Sequence, residues 1–242
     1  MHQGNQKQEK TLKERYEEFL KRFGLSFRDR KLLEQAFTHR SYINENKRLG
    51  LDHNERLEFL GDAVLELIVT EDLYHRFPDT AEGVLTAYRS ALVRTESLSE
   101  AAREMGMNEL LKLSKGEARD TGPARDYILA NTFEAFIGAL YLDQGLEVTK
   151  KLVQEQLLGN IEEIIESGSW KDPKSRVQEY AQERYGKTPR YELISESGPD
   201  HNKHFVVAIY FGERKVAEGE GRSKQQAQQE AAKHALEKEE GK

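Results

Sequence analysis

The sequence predicts a chain of two domains: an all-helical one over residues 10–166 and a small α-β-β-β-α (α+β) one over residues 173–242, with a linker at 167–172. Three observations carry this. Apolar residues recur at spacings of three and four from about residue 11 to 165. The stretch ESGSWKDPK then breaks the pattern with small residues and a proline. Beyond it, short β-prone runs lie between two amphipathic stretches.

In the first domain the helical pattern runs through KERYEEFLKRFG, RDRKLLEQAFTHRSY, RLEFLGDAVLELIVTEDLYHRF, ALVRTESLSEAAREMG, YILANTFEAFIGALYLDQG and LEVTKKLVQEQLLGNIEEII. Several of these end at glycine, a common helix stop. No alternating strand pattern interrupts them. In the second domain SRVQEYAQERYG reads as one helix, and RYELISES, HFVVAIYF and RKVAEGEG as three strands. FGER supplies a hairpin glycine between the last two. SKQQAQQEAAKHALEKE closes the chain as a helix capped by Ser223, with Ala227, Ala231 and Ala235 as its core stripe.

Of 242 residues, 37% are hydrophobic and 33% charged, polar but sufficient for a core. Cysteine is absent, which excludes disulfides and thiolate metal sites. No run approaches the ~18 apolar residues of a membrane span, and the start carries no apolar stretch of a signal peptide. A soluble cytoplasmic protein with no membrane partner is expected. The net charge of −6 lies wholly in the N-terminal part: residues 172–242 hold 13 basic and 13 acidic side chains, residues 1–171 hold 24 and 30. An acidic cluster can be a metal site as well as a repulsive surface, so net charge excludes nothing.

HNERLEFLGD (53–62) sets Glu55, Glu58 and Asp62 among residues suited to burial. At about 100° per residue the three acids fall within about 60° of one another on one helix face. Alone, such a stripe reads as a solvated face. A second stretch changes that reading. Asn131 and Glu134 share one face of a helix that is apolar nearly all round, and a lone solvated Glu is harder to place there. Gly61 and Gly138 lie inside these two helices, each within four residues of an acid. Mid-helix glycine costs about 1 kcal/mol relative to alanine, which a close helix approach would explain. Two acidic faces meeting there would repel unless divalent cations lay between them. Oxygen ligands without cysteine or clustered histidine suit Mg²⁺ or Mn²⁺ rather than Zn²⁺. Phosphodiester hydrolysis is the chemistry such a site serves best, and phosphatase or nucleotide-hydrolase chemistry would use the same metals.

Other patterns read as structural. Gly186-Lys187-Thr188 resembles the end of a phosphate-binding loop, but Ala181 stands where its first glycine belongs and Pro189 blocks the helix, so no nucleotide cofactor is expected. His39, His53 and His75 are scattered and suit capping or hydrogen bonding more than metal binding. In the second domain, Arg222, Ser223 and Lys224 stand at a helix start whose amides favour anions. The loop SGPDHNKHF carries His201, Asn202 and Lys203, and the first helix offers Gln178 and Glu179. Together these could span successive grooves of an A-form duplex, reading shape, phosphates and 2′-hydroxyls. The plain alternative is a solvated loop and an ordinary cap.

With these residues set out, the chain resembles bacterial ribonuclease III. HNERLEFLGDAVL is similar to that family's signature, and FTHRSY (37–42), FPDTAEGVLTAYRSALVRTESL (77–98), LSKGE (113–117) and LANTFEAFIGALYLDQG (129–145) follow its pattern in order and spacing. The α-β-β-β-α module resembles the double-stranded-RNA-binding domain, so the similarity spans roughly residues 10–238. The resemblance implies a homodimeric endonuclease that cuts both strands of duplex RNA with Mg²⁺, for which Mn²⁺ can substitute. It leaves 5′-phosphate and 3′-hydroxyl ends in ribosomal and messenger RNA processing. Glu58, Asp62 and Glu134 match metal-binding acids, with Asp62 and Glu134 catalytic, and Glu55, Glu82 and Glu117 match further acids of the catalytic valley. Phe59 matches the aromatic that enters the partner subunit. Two positions depart from the pattern. Asn131 stands where the family usually has Asp; it is expected to stay a ligand, directly or through water, in an active enzyme, the competing expectation being a regulator that binds duplex RNA without cutting it. Gln225 replaces a frequent second lysine, which removes one phosphate contact.

Overall fold

The structure, a computed structural model, describes residues 11–159, 161–166, 168, 170–199 and 203–241. It divides into two compact units, Met1–Trp170 and Lys171–Lys242. The first is helical: α1 (Leu12–Arg22), α2 (Arg30–Ala36), α3 (Arg40–Glu45), α4 (Glu55–Arg76), α5 (Glu82–Leu92), α6 (Thr95–Glu104), α7 (Pro123–Gln144), α8 (Leu146–Gln156) and α9 (Ile161–Glu166). The second is α10 (Pro173–Tyr185), β1 (Pro189–Ser197), β2 (His204–Phe211), β3 (Arg214–Gly221) and α11 (Lys224–Glu240). No helix among the described residues is long and apolar enough to cross a membrane.

α7 is the axis of the first unit. Pro123 opens it, where the missing N–H does no harm, and most of its length is buried as its all-round apolar character requires. Phe136, fully buried, meets the rings of Phe19, Phe37 and Phe27 at 5.3, 5.8 and 5.9 Å. α4 packs along it so closely that the two backbones touch. A Cβ placed on Gly61 would lie 1.7 Å from the Glu134 carbonyl oxygen, and one on Gly138 would lie 2.3 Å from the Leu57 carbonyl oxygen. The two mid-helix glycines thus have the close helix approach expected of them.

Three stretches over which the helical spacing runs without interruption are divided into two helices each. RDRKLLEQAFTHRSY separates into α2 and α3 because α2 ends at Phe37, His39 is extended, and the segment between them pairs with Lys112: Lys112 N–H donates to the Phe37 carbonyl at 2.8 Å and His39 N–H to the Lys112 carbonyl at 3.1 Å. ALVRTESLSEAAREMG breaks at Arg94, which is extended at the start of α6. The third breaks between α8 and α9. Apolar spacing runs straight across all three, since residues on either side of a tight break still reach one core.

In the second unit the antiparallel order is β1-β2-β3, with Gly212 at φ +64° in the hairpin between β2 and β3. α10 and α11 cover one face. Ser223 caps α11, accepting from Gln226 N–H at 3.1 Å, and Ala227, Ala231 and Ala235 are fully buried, as expected. Gly219 and Gly221 let β3 meet this alanine stripe; a Cβ on Gly219 would lie 2.0 Å from the Ala231 nitrogen. Gly186, at φ +63°, is the C-cap of α10, so the Gly-Lys-Thr triplet is a helix end.

The helix crossing yields a prediction. Gly138→Ala forces α4 and α7 apart and should cost about 1–3 kcal/mol, seen as a drop in melting temperature of several degrees. Gly83→Ala, in a helical first turn with open space around it, should melt no lower than the parent. Equal melting of both variants would refute the contact.

Candidate active site

The N-terminal half of α4 presents Glu55, Glu58 and Asp62, and the middle of α7 presents Asn131 and Glu134. The glycine crossing decides how these faces stand: Asp62 adjoins Gly61, and the Glu134 carbonyl is itself at the contact. Glu58, Asn131 and Glu134 are half-buried, while Asp62 and Glu55 are exposed. Burial pushes the Glu134 carboxyl up to about 8, and the charges of Asp62 and then Glu58 add to the rise. Glu58 is likewise raised, by burial first and then by Glu55 and Asp62, while a hydrogen bond from the Asn131 side chain pulls it back. Asn131 therefore serves Glu58 as a donor through its amide, something a carboxylate there would not do.

These residues form an oxygen-rich, anionic set. Among the described residues, no three His, Cys, Asp or Glu side chains close on a point tightly enough to hold an ion by themselves. The donor set nevertheless fits a hard divalent cation that keeps some water ligands. Burial first, and then the charge of neighbouring acids, raises both Glu58 and Glu134.

Around this set the other sequence-selected acids are unevenly placed. Glu55 pairs with Arg40 Nη1 at 3.0 Å, with His53 Nδ1 3.8 Å away. Glu117, half-buried on the loop before α7, and Glu55 are both near enough to His39 to favour its protonated form. Burial outweighs them and holds His39 below its usual range. Glu82 stands apart. It starts α5 and lines a groove of about 250 Å³ with Thr70, Leu73 and Tyr74. Thr70 lies more than two turns beyond Asp62 on α4, about 12 Å at the usual helical rise. Phe59 is 82% exposed. His39 caps α3, accepting from Ser41 N–H at 3.3 Å.

In the second unit, Gln178 and Glu179 lie exposed on α10, with Lys171 paired to Glu179. His201 and Asn202 lie outside the described residues. Lys203 and Lys224 converge on one carboxylate, Glu196, at 2.7 and 3.9 Å, and Lys203 holds the Glu196 carboxyl below its usual range. Arg222 and Ser223 are exposed at the start of α11. Sequence reading overlooked Glu196, Arg40 and the buried Arg125. The first two have partners distant in sequence, and a lone arginine at a helix start carries no signal that it is buried.

Comparison with known proteins completes the picture. Residues 29–161 match the family described as Ribonuclease-III-like, and residues 173–239 the double-stranded RNA binding motif. The chain is 48% identical over 221 residues to "Ribonuclease 3" of Streptococcus gordonii, covering 90% of this chain and 94% of that one. It is 45% identical over 217 residues to "Ribonuclease 3" of Bdellovibrio bacteriovorus, covering 89% and 92%. Among solved structures, the nuclease domain of ribonuclease III from Campylobacter jejuni aligns with a TM-score of 0.52 at 36% identity, covering 58% of this chain and 96% of that one; that protein is described as flexible in a region involved in dimer formation. With both units matched by family models and relatives of 45–48% identity covering about nine-tenths of its length, the chain belongs to the ribonuclease III family of double-strand-specific endoribonucleases.

Proposed function

We propose that this endoribonuclease hydrolyses duplex RNA with a divalent cation, Mg²⁺ or in its place Mn²⁺, to leave 5′-phosphate and 3′-hydroxyl ends. In this reading it works in the cytoplasm on ribosomal and messenger RNA precursors. Residues 10–166 cut, residues 173–242 grip the duplex, and 167–172 join them. The observation that carries this is the crowding of Glu58, Asp62 and Glu134 at a backbone contact between two helices, with two of the three carboxyls raised.

Glu58, Asp62, Asn131 and Glu134 would hold the cation, Asn131 through its carbonyl oxygen or a water. When bound, the cation supplies the charge that activates water and steadies the phosphoryl oxygens. The chain's own part is to crowd carboxylates where the cation is needed and to manage a proton. Asp62, exposed, faces the incoming phosphate side. Glu134, half-buried beside Asp62 and Glu58, is placed to take a proton from the attacking water and return one to the departing 3′-oxygen as the P–O3′ bond breaks. Glu55 and Glu117 form the rim. In the second unit Lys203, Arg222 and Lys224 meet phosphates, while Gln178, Glu179, Ser223, His201 and Asn202 meet sugar and groove edges.

A homodimer fits the exposed apolar face of α4. Phe59, Leu67 and Tyr74 are all more than half exposed and fall within about 80° on the helix. A second copy would cover them, with Phe59 entering the partner. Glu82 joins the rim only through such a second copy, since within one chain it stands apart.

Three outcomes test the reading. Asp62→Asn and Glu134→Gln should each lower the cleavage rate by about 100-fold or more while duplex binding on a gel persists; full cleavage by either removes that residue from the site. Asn131→Asp should cut duplex RNA at a lower Mg²⁺ concentration than the parent, because a further carboxylate strengthens a hard-cation site. Cutting by the variant alone would make the natural chain an RNA binder rather than a nuclease.

The third is a stability measurement without metal. Between its ordinary value of 4.5 and about 8, Glu134 keeps a proton in the folded chain that the unfolded chain has lost. Stability therefore falls as pH rises through that window and levels off above it. Melting in a chelator from pH 5 to 9 should show this decline, shallower in Glu134→Gln, with the variant melting higher at pH 8–9. Identical slopes would mean an unperturbed carboxyl.

A further inference from the structure

The segment from Lys112 to Asp120 carries Glu117 on a loop with a single 3₁₀ turn at Glu117–Arg119, yet it is tied down along its length. Its start is fastened by the Thr38–Lys112 bridge. Next to that bridge, His39 Nδ1 accepts the Ser41 N–H and lies 2.8 Å from Ser41 Oγ. A ring nitrogen that accepts a backbone N–H carries no proton, so the Ser41 hydroxyl must be the donor to it. That orientation leaves the lone pairs of Ser41 Oγ for Ser114 N–H, which donates to it at 3.0 Å. Ser114 Oγ in turn accepts the Glu117 N–H at 3.2 Å. From the other side comes Arg125 of α7, 8% exposed. Its Nη2 donates to the Glu117 carbonyl at 2.8 Å, and its Nε and Nη2 donate to the Asp120 carbonyl at 3.1 and 3.0 Å.

We propose that Ser41 and Arg125 are positioning residues for the nuclease reaction: they fix the backbone of Glu117 from both sides, relative to α3 and to the helix that bears Asn131 and Glu134. The inference rests on Glu117 being a functional acid of the rim. A loop carboxylate is useful there only if it stands in one place when the duplex arrives, because small misplacements of a charged group near a reacting centre are costly in rate. Neither residue need touch substrate to act in this way. A buried guanidinium committed to backbone carbonyls suits the role, because its planar fork satisfies two carbonyls at once where a lysine offers one point charge.

Ser41→Ala in the full chain is the test, because it removes the hydroxyl but keeps the N–H that His39 caps, so α3 keeps its start. With a plain RNA duplex at saturating Mg²⁺, kcat should fall roughly tenfold while KM and melting temperature stay at the parent values. Ser41→Thr should restore most of the rate. In a Glu117→Gln background Ser41→Ala should cost nothing further. Impaired Glu117→Gln beside fully active Ser41→Ala would overturn the inference alone, as would losses that multiply in the double variant. Full activity of Glu117→Gln would instead remove Glu117 from the rim, and the role of Ser41 with it.

Discussion

The contact between the backbones of α4 and α7 at Gly61 and Gly138 is the constraint from which the rest of the first unit follows. With any side chain at either position, a Cβ would lie inside the carbonyl of Glu134 or of Leu57. Glycine at both removes the obstacle, and helical periodicity does the rest: Glu58 and Asp62 flank Gly61, and Glu134 stands one turn before Gly138. The crowding of carboxylates is thus built into the crossing, and so is its penalty, chiefly burial with neighbouring charge added, visible in the raised Glu58 and Glu134. The apolar burial of α7 offsets that penalty. Phe133, Phe136 and Leu140 are fully buried, each contributing about 1.5–3 kcal/mol on removal from water, against about 1 kcal/mol for each mid-helix glycine.

The second unit uses the same device with different consequences. Gly219 and Gly221 bring β3 against the alanine stripe of α11, again letting backbone approach backbone. Its charges separate into two kinds. Glu239 is buried and accepts from Arg214 Nη2 at 3.0 Å; breaking such a pair strands a charge in the interior, so it holds α11 to the sheet. Glu196, by contrast, shares Lys203 and Lys224 at the surface, where ion pairs contribute about 0–1 kcal/mol. In the proposed reading those lysines leave Glu196 for an RNA phosphate at little cost.

What the sequence makes legible is what periodicity encodes. The packed-all-round helix, the paired glycines, the alanine stripe, the Ser223 cap and the change of pattern beyond Trp170 all have local signatures, and the structure has them. Residues whose place depends on a distant partner do not. Nothing near Phe37–His39 signals that this segment leaves the helix to pair with Lys112, and the apolar spacing even argues against it. Glu82 reads as one acid among several, yet it sits beside the far half of α4. Asn131 reads as a weakened ligand; that its amide serves Glu58 as a donor is visible only once the two helices are side by side.

In the proposed reading α4 carries two functions at one register. Glu58 and Asp62 face α7, while Phe59, one residue and about 100° on, points to solvent with Leu67 and Tyr74. A helix of 22 residues is stiff over its ~33 Å length, so in the proposed homodimer a partner subunit pressing on Phe59 would load the same rod that sets the acids. An insertion or deletion between Glu55 and Asp62 would rotate one set by about 100° against the other, losing either the acid cluster or the docking face. The tight interleaving of acids and apolar residues in HNERLEFLGD is what a single rod serving both faces requires.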